Sequence, residues 1–277
     1  MSSKKELVVI GDSFCIDYVK MRNMMANDYT GGRYLLHVGD EVKAYTWTQQ
    51  KSFPVWGDII AKELNLKVVN LGQSGTGTNF IFAEALDYII NNKDNIEKVI
   101  ISWSGYSRVD FELPAGRYPD HHPRPWLTVN PAMPQSINVH HNKILSAAKA
   151  YNTLSFEVGL NNFFRHAYVL QNLLESYGID YRMIQSITDG HAFPKFTFDK
   201  GSEGGMHQYA KKLINNPYFD LINDEKFIGW PGVSNLGGFA MTDLIWTEDN
   251  KNHISYLDKH PNENGHKIIA KAVLDDL

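Results

Sequence analysis

Residues Glu6-Leu7-Val8-Val9-Ile10-Gly11-Asp12-Ser13 decide the fold. The apolar run Leu7–Ile10 predicts a short buried strand, and Gly11-Asp12-Ser13 is a turn-forming cluster that ends it. Downstream, Val55, Ile59, Ile60 and Leu64 fall at helical spacing within 54–64, with Ser52 before Pro54 as a start signal. A second strand is predicted over 67–71 and runs into Gly72-Gln73-Ser74-Gly75-Thr76-Gly77. A helix follows over 78–92 with Phe82, Ala85, Leu86 and Ile89 on one face, and then a third strand over 97–103. Strand, helix, strand, helix, strand in one hundred residues predicts an α/β fold with a central parallel sheet.

The remainder of the chain extends that pattern. Residues 140–177 read as helical with a break near Gly159, 180–187 as a fourth strand, and 262–276 as a last helix with Ile268, Ile269, Ala272 and Val273 inward. Residues 15–52 show no clear period beyond one short helix. Prolines at 114, 119, 123, 125, 131 and 134 disfavour both helix and central strand over 112–138. Residues 189–252 read as irregular. With no repeat and no linker, the expectation is a single domain over 1–277 carrying insertions at about 15–52, 105–140 and 189–252.

Composition removes several function classes. The 277 residues hold 27 Lys and Arg against 31 Asp and Glu, a net charge of −4, which offers no electrostatic footprint for nucleic acid. The single cysteine, Cys15, excludes an intrachain disulfide framework and a multi-cysteine zinc site. The apolar run at the N-terminus falls short of the roughly 7–15 residues of a secretory signal and the about 20 of a membrane span. A protein cytoplasmic as synthesised, with no membrane insertion, is expected. His121-His122 and His140-His141 are adjacent pairs without the i, i+4 spacing of a helical metal site, and neither a metal nor another cofactor is expected.

Three places carry residue types suited to chemistry. Ser13 follows a buried strand, where ligands of open α/β sheets bind. Gly75, also just past a strand, lets backbone approach a ligand without a side chain in between. The Gly72–Gly77 loop is not a dinucleotide fingerprint, because Phe80 stands where the third glycine belongs. Third, in Asp258-Lys259-His260-Pro261-Asn262 the proline keeps His260 extended, Asn262 can cap the last helix, and Asp258 can accept from the other ring nitrogen.

Taken together and in this order, these segments resemble the SGNH/GDSL hydrolase family. Gly11-Asp12-Ser13-Phe14 looks like its first block, Asn70-Leu71-Gly72-Gln73-Ser74-Gly75 its second, and Asp258 to Asn262 its last. The resemblance implies a flavodoxin-like three-layer α/β/α sandwich and ester hydrolysis. It makes Ser13 the nucleophile, His260 the general base and Asp258 its orienting acid, with the backbone N–H groups of Ser13 and Gly75 in an oxyanion hole. A serine hydroxyl needs such a base near neutral pH, and the developing oxyanion needs preorganised donors.

The sequence departs from the family twice. The third block reads Ser102-Trp103-Ser104-Gly105-Tyr106-Ser107-Arg108 and lacks the family's Asn. Ser104, Tyr106 or Asn79 are the candidate stand-ins. Arg108 either binds an anionic substrate group or pairs with Asp110 or Glu112, and Asp12 and Tyr106 join it as substrate-site candidates. The acid, normally three residues before the histidine, is here two before it, since position 257 is Leu.

The expected activity is that of a serine esterase or deacetylase acting on a small-molecule or glycan ester, with carbohydrate O-acetyl groups the suggested substrate class. Trp126, Trp230, Trp246 and Tyr118 suit stacking on sugars as well as ordinary packing. The alternative is a catalytically degenerate hydrolase fold serving as a glycan-binding or structural component. The third block and the absence of a signal also look similar to bacteriophage-borne members. That points to a virion component, self-associating or assembled into a larger particle.

Overall fold

In the computed structural model, residues 4–17, 33–38, 41–46, 52–112, 126–129, 139–150, 155–187, 205–254 and 259–277 are described. The strands are β1 (Glu6–Ile10), β2 (Arg33–Val38), β3 (Glu41–Thr46), β4 (Lys67–Asn70), β5 (Ile96–Trp103), β6 (Val109–Glu112), β7 (Trp126–Val129), β8 (Asp180–Gln185) and β9 (Phe227–Ile228). The helices are α1 (Trp56–Glu63), α2 (Thr78–Asn92), α3 (Val139–Ala150), α4 (Phe156–Ser176), α5 (Gly205–Ile214), α6 (Met241–Ile245) and α7 (Glu263–Leu274).

Among the described residues, five strands form one parallel sheet in the order β4-β1-β5-β8-β9. Counted along the chain within that sheet, the order is 2-1-3-4-5, the flavodoxin-like doubly wound arrangement. The period-2 alternation of side chains splits each apolar run between two cores. Val8, Ile10, Val99, Ile101, Trp103 and Met183 face one side, under α2 and α4. Leu7, Val9, Ile100 and Ile184 face the other, under α1 and α7. Leu7, Val8, Val9 and Ile10 are all fully buried, each contributing roughly 1.5–3 kcal/mol by leaving water. A strand apolar on both faces is stable only between two helical layers, and that is where β1 lies.

Several segments differ from the sequence expectation, each for a local reason. Within 15–52, β2 and β3 pair as an antiparallel hairpin. Within 112–138, the proline-free window Trp126–Val129 forms β7 and pairs antiparallel with β6 as a separate ribbon; proline bars a central strand, not such a ribbon. The helical stretch 140–177 is two helices, and Gly159 lies inside the second rather than at a break. Ser155 starts α4 by accepting from the Val158 N–H. Gly159 is where the Tyr106 carbonyl oxygen would stand 1.8 Å from an added Cβ. Within 189–252, β9 completes the sheet with two residues, too few to show a period. No helix among the described residues is long and apolar enough to cross a membrane.

Candidate functional site

The residues that follow β1, β4, β5 and β8 meet at the carboxyl edge of the sheet. Ser13 opens a short 3₁₀ turn, Ser13–Cys15, whose preceding residue Asp12 accepts from the Phe14 N–H through Oδ1 at 3.0 Å. The turn is held from three sides. The Trp56 indole donates to the Phe14 carbonyl at 2.8 Å, Asn70 Nδ2 donates to the Cys15 carbonyl at 2.5 Å, and the Gln73 N–H donates to the Gly11 carbonyl at 3.0 Å. Gly11 has no room for a side chain, since a Cβ would stand 2.4 Å from Cys15 Sγ and 2.8 Å from the Ser102 carbonyl oxygen.

His260 arrives from the other end of the chain. Its carbonyl accepts from the Ile254 N–H at 2.9 Å, and Pro261 bridges His253. Asn262 starts α7 by accepting from the Asn264 and Gly265 N–H groups. That cap and the rigid proline aim the imidazole at the β1 turn: His260 Nε2 lies 2.9 Å from Ser13 Oγ, beside the Phe14 ring at 5.9 Å between centroids. Ser13 is 2% exposed, so its hydroxyl is sheltered from bulk water. Asp258 lies outside the described residues. Behind the pair, His266 on α7 is fully buried and accepts from the Trp56 N–H at 3.4 Å through Nδ1. Burial first, and then the neighbouring His260, push its pKa down to about 3, so it stays neutral.

The carboxylate of Asp12 is turned into the protein. It is fully buried, and its Oδ2 accepts from Ser104 Oγ at 2.9 Å and Ser186 Oγ at 2.8 Å, with Arg108 Nη1 at 3.4 Å. A buried charge is tolerated when satisfied in this way. Arg108 therefore lies within ion-pair distance of Asp12, and its charge also acts on Asp110. Ser104, fully buried, has its hydroxyl committed to Asp12. Tyr106 is 2% exposed and sits against Phe156 and Phe163 in the core, a packing place and not a cleft position. Asn79 Nδ2 donates to the Asp110 carbonyl at 3.3 Å.

Gly75 has φ +80, an exposed position, and open space where a Cβ would point. L side chains rarely adopt that backbone, so glycine is required by conformation. The end of its loop is fixed by a residue that the sequence offered only as a partner for Arg108. Asp110, on β6, accepts from the Gly77 N–H at 2.8 Å, the Phe80 N–H at 2.9 Å and Thr128 Oγ1 at 2.5 Å. It thus caps α2 from a neighbouring ribbon, and burial raises its pKa. Ser186 was missed as well; its signal is that it directly follows a strand, as Ser104 does.

Cys15 is fully buried, and burial raises its thiol pKa well above the ordinary value, with Asp12 adding to the effect. It is a protonated packing group. Among the described residues, no group of three His, Cys, Asp or Glu side chains converges to hold a metal ion.

No family model matches the chain, and no curated protein matches it. Among solved structures, the chain is similar to a protein assigned to the G-D-S-L family from Desulfitobacterium hafniense DCB-2. The identity is 13% and the TM-score 0.43, over 99% of each chain. It is also similar to LAE5, an alpha/beta hydrolase enzyme from the metagenome of Lake Arreo, Spain. There the identity is 13% and the TM-score 0.42, over 100% of this chain and 96% of that one.

Proposed function

We propose that the protein is a serine hydrolase of acyl esters, with Ser13 as nucleophile and His260 as general base. One observation carries this: Ser13 Oγ and His260 Nε2, 247 positions apart in sequence, lie 2.9 Å apart at the carboxyl edge of the sheet. A sheltered hydroxyl within hydrogen-bond reach of an imidazole is the arrangement that activates serine.

In the proposed cycle, neutral His260 takes the Ser13 proton on Nε2 as Oγ attacks the ester carbonyl carbon. The tetrahedral oxyanion accepts from the Ser13 and Gly75 backbone N–H groups, the donors proposed from their places on two adjoining turns. His260 then returns the proton to the departing alkoxide, leaving an acyl-serine. Water, deprotonated by His260, attacks the acyl carbon, and the proton returns to Ser13 as the carboxylic acid leaves. Asp258 is proposed to orient His260 and stabilise its cation. O-acetyl groups on carbohydrate remain the proposed substrate class.

The test is turnover of a short-chain aryl ester by the wild-type protein, Ser13→Ala and His260→Ala. The proposal expects both variants to lose several orders of magnitude in kcat, on the order of 10⁴ or more. Wild-type rates retained in Ser13→Ala would overturn it.

A further inference from the structure

The third block lacks the Asn that the family resemblance leads one to expect, and Arg108 from the same block has a different place. Arg108 leaves the loop after β5 with its side chain 13% exposed. One nitrogen, Nη1, is within reach of three acceptors: Ser104 Oγ at 2.9 Å, the Thr76 carbonyl oxygen at 3.1 Å and Asp12 Oδ2 at 3.4 Å. Asp12 directly precedes Ser13, and Thr76 directly follows Gly75. A single cation therefore joins the turn that presents one proposed oxyanion donor to the loop that presents the other.

The two elements have other ties, but those lie at the foot of the loop. Leu71 N–H donates to the Val9 carbonyl at 2.8 Å and Gln73 N–H to the Gly11 carbonyl at 3.0 Å. Asn70 holds both the Gly72 N–H and the Cys15 carbonyl. Beyond Gln73 the loop rises to Gly75, which is exposed and whose side-chain direction is empty. Thr76, one residue on, is where Arg108 takes hold, and Thr76 Oγ1 turns back to the Gln73 carbonyl at 2.9 Å. All three contacts run through Nη1, which stands one bond farther from Cβ than a lysine ammonium would and whose direction the planar guanidinium fixes.

We propose that Arg108 is a positioning residue that fixes the spacing between the Ser13 and Gly75 N–H groups by tying Asp12 to Thr76. This rests on Ser13 being the nucleophile. It gives Arg108 a place in transition-state stabilisation without contact to substrate, in contrast to an anion-binding role. Misplaced oxyanion donors cost rate and leave ground-state binding intact, so the effect belongs in kcat.

The experiment compares wild type, Arg108→Lys, Arg108→Ala and Ser13→Ala in the full-length chain. A short-chain aryl ester reads kcat and KM, and an organophosphorus probe reads the labelling rate at Ser13. Arg108→Ala is expected to lose about 10²-fold in kcat, the cost of one oxyanion donor, with KM within about threefold. The labelling rate should fall in parallel. Millimolar guanidinium should restore part of that rate, and none in Ser13→Ala. Arg108→Lys, which keeps charge and bulk, should lose at least about tenfold in kcat and decides the matter if the alanine variant does not fold. With Ser13→Ala inactive, kcat within about threefold of wild type in Arg108→Lys, or a loss confined to KM, would overturn the proposal. If Ser13→Ala keeps full activity, the nucleophile assignment fails, and the positioning role fails with it.

Discussion

Replacing Asp110 by alanine probes how an insertion far from Ser13 in sequence holds the Gly75 loop. The carboxylate accepts two backbone N–H groups, those of Gly77 and Phe80, and both bonds are buried. Alanine leaves these donors at the start of α2 without that partner, at about 1–3 kcal/mol each. Burial opposes ionisation of Asp110, and removing it recovers some of that cost. The net loss is thus about 2–4 kcal/mol, to be set against a total stability of roughly 5–15 kcal/mol. At about 2–4 °C per kcal/mol for a domain approaching this size, Tm should fall by roughly 5–15 °C. Asparagine keeps one acceptor oxygen and should cost about half as much. Urea unfolding followed by tryptophan fluorescence measures both, with a shifted midpoint and an unchanged slope. Activity should fall with stability, because Gly77 lies two residues beyond Gly75. A change below about 0.5 kcal/mol in Asp110→Ala would refute the capping account.

Other perturbations test different parts of the site. Gly11→Ala places a Cβ 2.4 Å from Cys15 Sγ and 2.8 Å from the Ser102 carbonyl oxygen. The unfolding free energy measured in urea should drop by at least about 1–3 kcal/mol, and adding Cys15→Ala should recover only part, because the Ser102 backbone cannot withdraw; full recovery would contradict this. His266, its pKa held at about 3 by burial and His260, binds no proton in the folded state where the unfolded chain, with a pKa of about 6.5, does. Stability should therefore fall as pH drops from about 6.5 towards 3, by up to about 1.4 kcal/mol per unit from this group. His266→Asn should flatten that slope, leaving the part due to His166, whose pKa burial lowers to about 4; identical slopes would count against the assignment.

The central sheet was legible because its strands are buried on both faces and its helices show one clean apolar stripe. Residues 6–10 and 78–92 stand where the pattern puts them, and the strand expected over 180–187 is formed over Asp180–Gln185. The β6–β7 ribbon was not legible, since its four-residue strands sit among prolines and pair with each other outside the sheet. The closeness of Ser13 and His260 was implied by the family resemblance that the turn after β1 and the His-Pro-Asn segment before α7 carry. The partners of Asp12 were not. Ser104, Ser186 and Arg108 converge on it from two other strand ends, and such a convergence has no period and no spacing in the sequence. Tyr106 read as a cleft residue because an aromatic after a strand can face either way, and only the closeness of α4 at Gly159 buries it.

Mapping the adduct of a serine-directed organophosphorus probe by peptide mass spectrometry tests the central claim most directly. The nucleophile assignment predicts one modified site, Ser13, absent in Ser13→Ala and formed far more slowly in His260→Ala, which lacks the imidazole 2.9 Å away. An unlabelled wild-type protein, or an adduct on another serine such as Ser74 or Ser104, would contradict it.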